Sequence, residues 1–148
     1  MMMGQLEQNR SEYRWTRFTS PAALGDYRLA VMERFLADFP EGMKEGRYLD
    51  CDLESLSFEP RSFDLALCSH FLFLYSDRLT AGFHQRAIEQ MLLVAREVRI
   101  FPLQSLAGNR SEHLETICES LAVPGREFEI RTVDYEFKRC ANQMLRIR

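Results

Sequence analysis

The residues best placed to do chemistry are Cys68, Ser69 and His70, which end an apolar run and precede an aromatic-rich segment containing Phe71, Phe73 and Tyr75. A thiol two residues from an imidazole supplies the parts of a nucleophile and its general base. If the strand extends through residue 70, the two side chains share a face, so contact is allowed without being enforced. The opposing reading, favoured here, is that Cys68 is a small buried apolar residue, the common state of a free cysteine. Asp52 is the second candidate. A carboxylate just past a strand end accepts hydrogen bonds from a ligand amino group, although residue type alone favours a solvated loop aspartate. Asp64 reads as a cap at the entry to a strand.

Metal chemistry finds little support. His70, His84, His113 and the cysteines Cys51, Cys68, Cys118 and Cys140 show no C-x-x-C or H-x-x-x-H spacing, and His84 and His113 read as surface residues near helix starts. The segment Tyr13-Arg14-Trp15-Thr16-Arg17-Phe18 alternates rings and cations as single-strand binders do. It is short, and a hydrophobic anchor fixing the N-terminal segment onto the sheet explains it better. Phe71, Phe73 and Tyr75 line a substrate pocket or simply fill the core.

These candidates need a scaffold that places them at the ends of strands. Ser20-Pro21 opens a helix, because serine caps free N–H groups and proline is tolerated in the first turn. Leu24, Val31, Phe35 and Phe39, widened by Leu29, Met32 and Leu36, give that helix an apolar stripe, and it should stop near Pro40-Glu41-Gly42. A short strand is expected at 47–51. A nearly continuous apolar strand follows at 63–69, the kind that is covered on both faces. A helix at 81–95, a strand at 97–103, a helix from Ser111 and two strands at 127–137 and 143–147 complete the chain. Residues 1–18 read as a tail or remnant and 19–148 as one domain. The fold class is α/β, a Rossmann-like three-layer sandwich with mainly parallel strands and a C-terminal antiparallel hairpin.

With 148 residues and 46% hydrophobic content the chain is large enough for a core of its own. A net charge of -3 gives no signature of phosphate neutralisation, so nucleic acid is not an expected partner. No apolar run reaches the length of a membrane helix, and widely spaced cysteines without an export signal point to reduced thiols in the cytoplasm.

Taken together the segments resemble the second half of a class I S-adenosylmethionine-dependent methyltransferase domain. That family carries approximately Gly-Asp-Ala-x-x-Leu-Pro-Phe after its third strand and Phe-Asp-x-Val at the start of its fourth. Here the text is Cys51-Asp52-Leu53-Glu54-Ser55-Leu56-Ser57-Phe58, then Phe63-Asp64-Leu65-Ala66. Cys51, Leu53 and Ser57 depart from the pattern. The resemblance covers about residues 20–147 and implies an S-adenosylmethionine cofactor. Asp52 would contact the adenine amino group with the backbone of Leu53 beside it, and Cys68, Ser69 and His70 would flank the methionine part and the mouth for a small-molecule acceptor. Methyl transfer asks mainly for alignment of an already activated sulfonium, so an acid–base dyad is not required.

The glycine-rich turn that follows the family's first strand is absent, since no G-x-G occurs. The family's sheet order is 3-2-1-4-5-7-6, and this chain would supply only strands 3 to 7. The expectation is a truncated methyltransferase-like sheet, inactive as an isolated chain. Its open edge would be completed by an N-terminal half or by a second copy. The alternative is a non-catalytic interaction or dimerisation module derived from such a domain.

Overall fold

The computed structural model describes residues 3–148, which divide into two compact units. The first comprises residues up to Asp50 together with Phe137–Arg139, and the second comprises Cys51–Glu136 with Cys140–Arg148.

The first unit contains α1 (Met3–Gln8) and α2 (Pro21–Lys44). Leu6, Tyr13 and Leu24 form its hydrophobic core, with Trp15, Phe18 and Phe137 packed on them. Within residues 13–18 the rings therefore serve packing. The partner is the 137–139 segment rather than the sheet: Tyr13 and Trp15 contact the Phe137 ring, and the Arg14 N–H donates to the Phe137 carbonyl at 2.8 Å.

Helix α2 starts as its sequence dictates, with Ser20 Oγ accepting the Ala23 N–H at 3.1 Å and Pro21 in the first turn. It does not stop at Pro40. An interior proline loses its own N–H bond and crowds the carbonyl one turn back, yet the helix continues to Lys44, where residues 47 and 48 fasten its last turns. Arg47 and Tyr48 donate their backbone N–H groups to the Gly42 carbonyl, and Gly46 turns the chain in the left-handed region at φ +71°. The Arg47 guanidinium forks Asp38 at 2.7 and 2.9 Å, and the Tyr48 hydroxyl donates to Asp38 at 2.7 Å. Both hydrogen bonds hold the Asp38 carboxyl down to about 2. This clasp also explains why the strand expected at 47–51 is missing: its backbone and side chains close a helix instead of pairing in a sheet. The stripe on α2 differs from expectation too, since Leu29, Val31, Met32, Phe35, Leu36 and Phe39 are exposed.

The second unit is α/β. Strands β1 (Phe63–Ser69), β2 (Ala95–Phe101), β3 (Phe128–Thr132) and β4 (Gln143–Ile147) form one sheet in the order β1-β2-β4-β3. Helix α3 (Ala81–Val94) links β1 to β2, and α4 (Leu114–Ser120) follows β2. β1 and β2 run parallel, whereas β4 lies antiparallel to both β2 and β3. The sheet is therefore mixed: β1, β2 and β3 share one direction through the crossovers β1-α3-β2 and β2-α4-β3, and the terminal hairpin inserts β4, the one antiparallel strand, between β2 and β3.

Alternation along the strands sorts the faces. Val98 and Ile100 of β2 and Leu145 and Ile147 of β4 pack with Ala87, Ile88 and Met91 of α3 and Leu114 and Ile117 of α4 in one buried core. Glu97, Arg99 and Arg146 occupy the other face. β1 is an edge strand, and its apolar run is not covered on both sides: Leu65 and Leu67 are 38% and 69% exposed, while Cys68 faces the core. Layering explains the difference: α3 and α4 both pack on the Val98 and Ile100 face, so the residues of β1 that point the other way have nothing over them.

His84 is buried rather than on the surface. Its Nδ1 donates to the Thr80 carbonyl at 2.9 Å and its ring contacts Phe73 and His113. Burial lowers its pKa, because desolvation penalises the charged ring. Ser111 does not open a helix. Its Oγ lies 2.6 Å from Ser76 Oγ and accepts the His113 N–H, forming a buried turn before α4.

Candidate functional site

An open cleft of about 360 Å³ lies at the carboxyl ends of β1 and β2. This is where α/β sheets present ligand-binding groups, because the strand ends release side chains from the ladder. Cys68, Ser69 and His70 line it from β1, and Arg99 and Phe101 line it from β2. Val133, Tyr135 and Met144 close the side facing the C-terminal hairpin. The register brings the two strand ends level, with Ser69 beside Phe101.

His70 is the first residue past β1 and sits in the left-handed region at φ +57°. The Phe101 carbonyl holds it there by accepting its N–H at 2.6 Å. A non-glycine residue in that region carries a strain of about 1 kcal/mol or more and persists only where its surroundings fix it. The turn throws the imidazole against Phe101 and Tyr135, at centroid distances of 5.4 and 6.2 Å, and those two rings meet each other at 5.8 Å. The cleft wall is therefore three rings meeting edge to face.

The imidazole Nδ1 lies 2.8 Å from Ser69 Oγ. Cys68 belongs to the hydrophobic core, and burial pushes its thiol above the ordinary value, which works against a thiolate nucleophile. The geometry thus pairs His70 with Ser69 and leaves Cys68 as the packing residue favoured from sequence.

Arg99 is the cation of the cleft. Its Nε donates to Glu97 at 2.6 Å, and Glu97 also accepts from Arg146 at 2.5 Å. Hydrogen bonds from Arg146 and Arg99 hold the Glu97 carboxyl down to about 2.

Asp52 and Leu53 lie elsewhere. Asp52 Oδ1 accepts the Glu54 N–H at 2.9 Å and its carbonyl accepts the Ser55 N–H at 3.0 Å, an Asx turn at the surface. Leu53 packs against the core under α3. Neither lines the cleft. The residues assigned to the two ends of S-adenosylmethionine are therefore not gathered in this cleft: Asp52 and Leu53 lie outside it, and the cleft offers three rings, the Ser69 and Tyr135 hydroxyls and one guanidinium.

Sequence reading located the β1 side of the cleft and missed Arg99, Phe101 and Tyr135. The first two were within reach, because aligning the apolar runs of β1 and β2 in parallel sets Leu67 beside Arg99 and Ser69 beside Phe101. Tyr135 lies in an irregular stretch after β3 and carries no periodic signal.

Phe71 stays partly exposed and meets Phe83, while Phe73 is fully buried in the core. Among the described residues no group of metal-ligating side chains occurs and no helix is long and apolar enough to cross a membrane.

An uncharacterized protein of Methanocaldococcus jannaschii is similar to this chain, with 29% identity over 139 residues that cover 94% of the chain and 60% of the relative. The chain thus spans about three fifths of that protein's length. No family model matches the chain, and no solved structure matches it significantly.

Proposed function

We propose that the second unit is the distal half of a methyltransferase-like, Rossmann-type three-layer domain. Its cleft would be the acceptor side of a site whose cofactor side is supplied by strands added at the β1 edge. The observation that carries this reading is the sheet order. β1-β2-β4-β3, with β4 antiparallel between two neighbours, corresponds to the run 4-5-7-6 in the order of the class I S-adenosylmethionine-dependent family. In that order the next strand pairs with the free edge of β1. The relative's greater length gives such strands a source. Four free cysteines fit a reducing, cytoplasmic setting.

In this reading the chain's own residues shape and orient the acceptor. His70, Phe101 and Tyr135 wall the cleft, Ser69 holds the imidazole, and Arg99 supplies a positive charge. S-adenosylmethionine, once bound to the completed domain, would supply an activated methyl group, and the remaining requirement is alignment.

Calorimetry with S-adenosylhomocysteine tests the reading on two proteins. The longer M. jannaschii relative is expected to bind it saturably, and this chain is expected to show no micromolar binding. Failure of the relative to bind removes methyl transfer from consideration. Saturable micromolar binding by this chain, lost on Asp52→Ala, would return the cofactor site to it.

The exposed stripes on β1 and α2 favour a second reading, an interaction module derived from such a domain. A stable dimer by light scattering, with neither protein binding S-adenosylhomocysteine, would support it.

A further inference from the structure

We propose that the cleft binds a small aromatic carboxylate, with Arg99 taking the acid group and Phe101 and Tyr135 taking the ring. The inference deepens the proposed function by naming the class of acceptor, and its biological meaning rests on that reading.

The charge pattern of the open sheet face points to an anion. Arg99 bonds Glu97 at 2.6 Å, Glu97 bonds Arg146 at 2.5 Å, Arg146 reaches Glu129 at 3.3 Å, and Glu129 bonds Arg131 at 2.7 Å. The ladder alternates in sign and has an arginine at each end, so it carries one uncompensated positive charge. Arg131 ends the ladder on the edge strand β3, whereas Arg99 ends it in the cleft. Arg99 uses only its Nε in these bonds, and its two Nη groups have no partner among the described residues. A guanidinium with one edge fixed by a carboxylate and the other open is ready for a second, planar acceptor.

Shape points to an aromatic acid. The wall beside Arg99 is Phe101, Tyr135 and His70, backed by Leu67 and Met144. Such a wall offers ring faces and edges and little hydrogen bonding. A volume of about 360 Å³ is near the lower end of small-molecule sites, which run from roughly 300 to 1,000 Å³. That suits one ring with a short acid arm. Phosphate is disfavoured, because phosphate sites gather several backbone N–H groups at a helix N-terminus or a glycine-rich turn, and strand residues and the 133–135 loop line this cleft.

Phenylacetate, its neutral isostere phenylacetamide and adenosine monophosphate are each titrated into isotope-labelled protein while amide resonances are followed by NMR. Phenylacetate is expected to shift Ser69, His70, Phe101 and Tyr135 saturably and to bind about tenfold more tightly than the amide, the discrimination of one charge-assisted bidentate contact. Arg99→Gln should remove the acid's advantage and bring acid and amide to equal affinity, while Arg99→Lys, which keeps the charge and loses the fork, should restore part of the difference. Equal binding of acid and amide by the unaltered chain overturns the proposal whether or not the variants fold. Absence of shifts at tens of millimolar overturns it as well, and tighter binding of adenosine monophosphate replaces it with a nucleotide site. The two readings fail separately: loss of S-adenosylhomocysteine binding by the relative leaves the phenylacetate result standing, and failure of phenylacetate removes only the acceptor class.

Discussion

At the scale of single residues, environment decides which candidate groups are reactive. The Cys68 thiol is buried and its pKa is raised by desolvation, whereas Cys51 and Cys140 are exposed. Iodoacetamide at neutral pH should therefore alkylate Cys51 and Cys140 first and Cys68 about a hundredfold or more slowly, a difference that peptide mass mapping reads directly. Glu97 offers a second check. Its carboxyl falls to about 2 in the folded chain from an ordinary 4.5, so its stabilising contribution is complete above pH 4.5 and is lost as pH falls through about 2. Glu97→Gln should lower the melting temperature at pH 7, since Arg99 and Arg146 then face each other across β2 and β4 without their shared anion. The gap between variant and parent should close between pH 4.5 and 2 in thermal melts. At this scale the sequence made Cys68, Ser69 and His70 visible because they interrupt an apolar run. Asp52 was equally visible, and the structure places it in a surface Asx turn outside the cleft, since such a turn and a ligand-binding carboxylate share the same local text.

At the scale of elements, helix signals were legible where they are local and illegible where a distant group overrides them. Ser20-Pro21 caps α2 as written, and β1 runs over the seven residues expected, Phe63–Ser69. Pro40 misled because the Asp38–Arg47–Tyr48 clasp carries α2 past it, and the same clasp consumed a segment that reads as a strand. Gly42 is the residue that permits this. A Cβ there would overlap the Tyr48 ring, so Gly42→Ala, ordinarily a gain in helix propensity of about 1 kcal/mol, should instead destabilise the chain. Urea unfolding followed by circular dichroism measures the sign, and a gain in stability would show that the clasp is dispensable.

At the scale of the whole molecule, the α/β class and the C-terminal hairpin followed from alternating patterns, while strand coverage did not. An apolar run such as 63–69 records what a strand can bury, and neighbours decide what it does bury. In this chain Leu67→Lys should change stability by no more than about 0.5 kcal/mol, the range for surface substitutions, because its side chain is 69% exposed. The same change at the matching position of the longer relative should cost several times more if further elements pack over this face of β1 there, and paired denaturant curves would separate the two cases. The edge has one further consequence. Along β1 the one charged side chain is Asp64, and the strand has no lysine, proline or bulge to discourage a neighbour. On the proposed reading, the amount of free chain that a cell can hold in solution would be set by how quickly that rim is covered, which would make supply of the covering strands a matter of proteostasis.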